Sequence, residues 1–163
     1  MKNRDQIQYK IRSLIGPLYL VASKNGLQGV FFNKQPVESV RKLGPKPAER
    51  ALGRAAGQLE EYFAGKRKKF NVPFDLSGTA FQKQVWQELF KIPFCRTVSY
   101  KDVAQRIRNP KAHRAVGSAI GRNPVGIIIP CHRVIASDGS IGGYSGGIEK
   151  KKRLLKLESS CPA

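Results

Sequence analysis

"TVSYKDVAQRIRNPKAHRAVGSAIGRNPV", residues 97–125, holds two short helical patterns around one break, and its reading decides the fold of the C-terminal half. Ser99 stands where a helix cap is expected, with Asp102 at the third helical position. Tyr100, Val103, Ala104 and Ile107 make one apolar stripe. Asn109-Pro110 ends that helix and starts another, predicted from Lys111 to about Gly121. So brief a break predicts a helix-turn-helix, with an ordinary helical hairpin in a core as the plainer alternative. The second helix decides between them. Val116, Ala119 and Ile120 face inward, so Lys111, Arg114, Ala115, Ser118 and Arg122 fall on the opposite face. Cationic side chains alternate there with very small ones. Small residues let a helix approach a neighbour closely, and Lys and Arg reach phosphates or bases. Residues 91–122 carry eight basic side chains and one acidic, Asp102. The face reads as a nucleic-acid docking surface.

Upstream, Thr79 is placed to cap a helix running to about Phe90, with Phe81, Val85 and Leu89 on one side and Trp86 alongside. "GKRKKFNVPFDLSG" (65–78) is basic, irregular and contains proline, which marks a domain boundary. Before it, residues 7–14, 18–23 and 27–32 read as strands, with "KNG" (24–26) as a tight turn. Residues 33–47 read as loop, and Ala48–Phe63 carries helical apolar spacing. The expected fold is α+β. A small α/β N-terminal domain with an antiparallel sheet (1–76) precedes a mainly helical C-terminal domain with the helix-turn-helix (77–163).

Charge is the strongest compositional signal. Thirty Lys and Arg oppose eleven Asp and Glu, a net +19, and both halves share the excess. A detachable basic tail therefore does not explain it. Such a surface favours a polyanion, because phosphate contacts release condensed counterions. No stretch approaches the roughly 18 apolar residues of a membrane span, and the first ten residues lack the apolar middle of a signal peptide. A soluble intracellular protein is expected, with no membrane partner.

"VGIIIP" (125–130) reads as a short buried strand, and "IIIPCHRVIASDG" (127–139) sets a cysteine beside a histidine at its end. Cys95, Cys131 and Cys161 share no short spacing, and His113 and His132 are the only histidines. A structural zinc site normally needs four ligands, so no metal or other cofactor is expected. Without secretory signals no disulfide framework is expected either. Reactive thiol and buried filler remain for Cys131. A thiol near pKa 8.5 is mostly protonated at neutral pH, and His132 and Arg133 are candidates to activate it. Neighbouring side chains of an extended strand point apart, so either Pro130 bends the chain or a water relays the proton. The histidine also needs an orienting acceptor: Asp138, Glu149 and Glu158 are the downstream carboxylates. "SDGSIGGYSGG" (137–147) reads as a connector or as a loop that approaches a flat ligand. Ile148–Glu158 reads as a last helix, followed by a frayed tail in which Cys161 is filler.

Taken in order, "FQKQVWQELFKIP" (81–93), "TVSYKDVA" (97–104), "NPKAHRAVGSAIGRNPV" (109–125), "IPCHRVI" (129–135) and "GGYSGG" (142–147) resemble the methylated-DNA–protein-cysteine methyltransferases, also called O6-alkylguanine-DNA alkyltransferases. The likeness covers 79–163; residues 1–78 match the family's variable N-terminal domain in size and pattern. It implies a single-turnover DNA-repair protein acting as a monomer on double-stranded DNA that contains O6-alkylguanine, docked through the minor groove. It would be cytoplasmic and nucleoid-associated, or nuclear in a eukaryote. Cys131 is implied as alkyl acceptor, His132 as base through a water, Glu158 as its orienter and Tyr100 as proton donor to the departing guanine. Arg114 is implied as the residue inserted for the flipped nucleotide, and Asn123 as a hinge. Tyr144, Ser145 and Gly146 would line the base pocket. A non-catalytic lesion-binding protein is the alternative, and Cys131 argues against it. The chain departs from the family at Cys95, where glycine is usual, and at Gly126, where proline or alanine is common. It also lacks the ligands of the N-terminal zinc site some members carry.

Overall fold

The computed structural model describes residues 5–160. The chain divides into two compact units, Met1–Ser77 and Gly78–Ala163. Among the described residues no helix is long and apolar enough to cross a membrane.

In the first unit, β1 (Ile7–Ile11), β2 (Leu18–Ser23) and β3 (Gly26–Phe31) form an antiparallel meander. A two-residue β4 (Glu38–Ser39), inside the stretch read as loop, pairs parallel with β1. The β2–β3 turn is held by Ser23, whose Oγ accepts from Asn25 N–H (3.0 Å) and donates to Asp75. Gly26 has φ +147°, and a Cβ there would lie 2.6 Å from the Pro73 carbonyl oxygen, so the close approach of the following chain requires glycine. That approach recovers part of the stretch read as irregular. Leu27 N–H donates to Pro73 O, and Asp75 N–H to Leu27 O.

Helix α1 (Pro47–Phe63) starts with proline at its first position, where no N–H is missed. It lays Ala51, Leu52, Ala55, Leu59 and Tyr62 against the sheet.

In the second unit, α2 (Ala80–Phe90) is capped by Thr79, which exchanges hydrogen bonds with Gln82. Ser99 and Asp102 cap α3 (Tyr100–Arg106) in the same reciprocal way. Helix α4 (His113–Gly121) packs on α3 and α2, tied by Trp86 Nε1–H to Ala119 O at 2.9 Å. The α3–α4 pair is the predicted helix-turn-helix. Its second helix starts two residues late, and Lys111 lies in the preceding turn, because Ala112 N–H is taken by Asn109 O. Two short parallel strands, β5 (Val98–Ser99) and β6 (Val134–Ile135), and helix α5 (Ile148–Glu158) complete the unit.

One cysteine reading is corrected. Cys95 is disulfide-bonded, and Cys131 is free. Odd parity and wide spacing did not predict the bond, because spacing in sequence does not limit what a fold brings together. Cys161, read as tail filler, lies outside the described residues.

Candidate active site

The apolar run 125–130, expected as a buried strand, forms no strand. Ile128 N–H donates to Gly126 O, Ile129 N–H to Val125 O and Cys131 N–H to Ile129 O, giving consecutive turns with Ile127 at φ +73°. An apolar run without a period fits a buried turn as well as a strand. Asn123 holds the segment together. Its Nδ2 donates to Ile129 O (2.8 Å) and its Oδ1 accepts from Val125 N–H (3.0 Å).

Cys131–Arg133 then wind into one 3₁₀ turn before β6. Successive side chains are about 120° apart in such a turn, so the extended-chain difficulty does not arise. The turn sends Cys131 to one cavity and His132 toward α5. His132 Nε2 meets Glu158 Oε1 at 2.7 Å with both side chains buried. Arg133, read as an activator of the cysteine, instead forks onto the same carboxylate: Nε donates to Oε2 and Nη2 to Oε1, each at 2.8 Å. Its Nη1 donates to Ile92 O (2.6 Å), and Phe94 lies under the guanidinium.

This arrangement fixes proton positions. Burial alone would push the Glu158 carboxyl up, but hydrogen bonds from His132 and Arg133, with the Arg133 positive charge, outweigh it and bring it down to about 2. An ionised Glu158 holds the Nε2–H tautomer of His132. The other nitrogen, Nδ1, is buried with no hydrogen-bond partner among the described residues, so its lone pair is the basic one. Burial lowers the pKa of His132, which Glu158 only partly offsets, so the ring is neutral at neutral pH. Burial likewise raises the Cys131 thiol, against hydrogen bonding from Asn123 and the charge of Lys151. The resting pair is neutral thiol and neutral imidazole.

A pH dependence follows. The Glu158 pKa lies below its ordinary 4.5, so its stabilisation is fully present above about pH 4.5 and is lost as pH falls toward about 2. The difference is on the order of 3 kcal/mol. Melting curves of wild type and Glu158→Gln should therefore draw together below pH 4.5 and converge near pH 2. Parallel curves would mean the carboxylate is not held as described.

Beside Cys131 is a cavity of about 290 Å³, lined by Tyr100, Gly117, Ile120, Gly121, Tyr144 and Ser145, among others. That size suits one flat heterocycle rather than a larger ligand. Gly142 has φ +72°, and a Cβ there would lie 3.1 Å from Tyr100 Oη, so the loop closes on the tyrosine only with glycine. Burial, then the Cys131 charge, raises the pKa of Tyr100 and keeps its phenol protonated. Gly146 is not among the lining residues; it continues the loop into α5.

Gly117, Ile120 and Gly121 make one wall of the cavity from α4, and the stripe beside them exposes Arg114, Ala115 and Ser118, with Arg122 at the C-cap. Lys111 is exposed in the turn ahead of the helix.

Sequence reasoning missed Lys151. It is fully buried, and its Nζ donates to Val134 O (2.7 Å) and Gly143 O (3.1 Å), joining the glycine-rich loop to β6. Burial lowers its pKa, with Cys131 acting the other way, and its charge favours the thiolate. A helical wheel carries the signal, since Lys151, Leu154 and Glu158 share one buried face of α5.

The model of the 6-O-methylguanine DNA methyltransferase DNA-binding domain matches residues 80–160, and that of the ribonuclease-like domain matches 8–76. A methylated-DNA–protein-cysteine methyltransferase of Methanosarcina acetivorans is 46% identical over 149 residues, covering 91% of this chain and 96% of that protein. One from Mycobacterium bovis is 46% identical over 156 residues, covering 94% and 93%. The crystal structure of Mycobacterium tuberculosis OGT in complex with DNA superposes with a TM-score of 0.84 at 41% identity, over 96% of each chain.

Proposed function

Because the chain belongs to the 6-O-methylguanine DNA methyltransferase family, we propose that it repairs DNA by moving the alkyl group of O6-alkylguanine to Cys131. It binds DNA, and it is a methylated-DNA–protein-cysteine methyltransferase. The finer reading names the lesion, the residues and a monomeric state. The observation that carries it is the buried Cys131 at the cavity, next in sequence to a histidine whose tautomer is fixed from behind by Glu158.

The α4 face docks on the duplex, with Arg114, Lys111 and Arg122 supplying positive charge. Arg114 fills the gap left by the extruded nucleotide, offsetting an unstacking cost of a few kcal/mol. Small Ala115 and Ser118 let the helix sit close, as minor-groove docking requires. The flipped base enters the cavity between Tyr100 and the loop of Tyr144, Ser145 and Gly146.

Attack begins as the thiol proton passes by way of a water to His132 Nδ1. The sulfur forms a bond to the alkyl carbon while the carbon–O6 bond breaks, and its electron pair goes to the guanine. Tyr100 gives a proton to the base, which departs neutral, and Lys151 balances the transient phenolate and thiolate. The product is a thioether. No group in the site can cleave it, so each molecule turns over once. A DNA substrate places the protein in whichever compartment holds DNA, the cytoplasm in a prokaryote.

Intact-protein mass spectrometry tests this reading. After mixing with a duplex carrying one O6-methylguanine, wild type gains one methyl group, mapped to Cys131, and Cys131→Ser gains none. Tight lesion binding without mass gain would overturn the catalytic reading in favour of a damage-binding protein.

A further inference from the structure

The outer face of α1 carries charge that the fold does not use. Lys46 is the N-cap, and Arg50 and Arg54 follow at four-residue steps, so three exposed cations stand about 6 Å apart along one stripe. Lys42 is exposed beside them. Leu43 Cδ1 would lie 3.6 Å from a Cβ at Gly53, which lays the loop before the helix along its surface. Glu49, the acidic residue of the first turn, is spent on the helix end, where its carboxylate accepts from Lys46 N–H (3.1 Å). Among the described residues none of the four cations is in an ion pair.

This placement works against the helix. Like charges four residues apart repel. The positive end of the helix dipole meets Lys46 and Arg50, and the negative end meets Glu60 and Glu61 in a last turn without a basic residue. Glu61 is at least answered by Arg67 at 2.6 Å; the cations have no such partner. Gly57 is a further mismatch. Glycine is a poorer helix former than alanine, yet a Cβ there would meet nothing within 4 Å. It stands one turn after Arg54 on the same stripe and keeps the surface low beside the cations.

We infer that this stripe is a second DNA-contacting surface, which takes the phosphate backbone of a duplex without reading its bases. The inference rests on the chain being a DNA-binding protein, not on alkyl transfer. Charge complementarity names the occupant. A duplex carries one negative charge per roughly 1.7 Å of axis, and each cation that neutralises a phosphate releases a condensed counterion. Cations left to repel one another in the free protein gain most when a polyanion arrives. None of the residues of the stripe is aromatic, so it offers unpaired bases nothing to stack on, which favours a duplex over a single strand. Contact of this kind carries no sequence information and holds the protein on undamaged DNA.

Lysine acetylation of the whole protein, read by mass spectrometry, tests this. With excess undamaged duplex in low salt, Lys42 and Lys46 should be modified roughly fivefold or more slowly than without DNA, and about 0.5 M salt should abolish the protection. Lys24 and Lys34, exposed elsewhere in the same unit, should change less than about twofold. Protection should fall by half or more in Arg50→Gln/Arg54→Gln and persist in Arg50→Lys/Arg54→Lys, because a phosphate needs only the charge. Without DNA the glutamine variant should melt at least as high as wild type, since repulsion within α1 is relieved. Equal slowing at all four lysines would reduce the stripe to part of a diffuse field and overturn the inference. So would protection by single-stranded RNA but not by duplex, or a glutamine variant that melts several degrees lower. Protection of Lys111 alone would confine DNA to the second unit and also overturn it. Protection of neither Lys111 nor the stripe would overturn the DNA-binding reading as well.

Discussion

Glu158→Ala is expected to lower stability by about 3–5 kcal/mol, because it leaves the buried Arg133 guanidinium without its counter-charge. The loss should appear as a fall of roughly 10 °C or more in Tm. A charge stranded in the interior is costlier than the same site rebuilt without charge. Glu158→Ala with Arg133→Met should therefore recover at least half of the loss, since methionine can pack on Phe94 where the guanidinium lies. The double variant would still be slow in methyl transfer, because His132 would lack its orienting acceptor. A single variant within about 1 kcal/mol of wild type would show that the network is not sealed from water.

His132→Ala is expected to slow single-turnover methyl transfer by about 10²- to 10⁴-fold, the usual contribution of a positioned base. Lesion-duplex affinity should stay within a few-fold, because His132 is fully buried and presents nothing to DNA. The fold should survive, because Arg133 still occupies Glu158. The rate–pH profile separates loss of a base from loss of shape. The Cys131 thiol is raised by burial, so without a base the reaction depends on the small thiolate fraction. The variant's rate should then climb about tenfold per pH unit through the alkaline range, where wild type is nearly flat. Equal flatness in both would remove His132 from proton transfer.

Features set by neighbouring residues were legible in the sequence. The Thr79 and Ser99 caps, the stripes of α2 and α3 and the Ile148–Glu158 helix need only contacts three or four residues apart. The inward face of α4 was legible for the same reason. Elsewhere the deciding partner is distant. The run 125–130 lost its strand to Asn123, whose side chain grips both ends of a turn. Arg133 looked like a neighbour of Cys131, but its carboxylate partner lies 25 residues on. Lys151 stands in "EKKKR", which reads as solvated charge; it is buried because carbonyls from β6 and the glycine-rich loop converge on one ammonium. Glu158 was reached through family resemblance, since nothing local separates it from Glu149. The disulfide of Cys95 left no mark in composition or spacing.

The burial of Cys131 has a consequence for a protein that reacts once. Only 6% of that residue is exposed, and its thiol rests in the protonated form. Soluble electrophiles and oxidants find little of the Cys131 sulfur within reach. The residue becomes an effective nucleophile when a base fills the adjoining cavity and its proton has somewhere to go. Shielding of this kind gives the molecule a long shelf life between lesions: it can wait unspent, and its single shot is kept for a guanine presented by DNA.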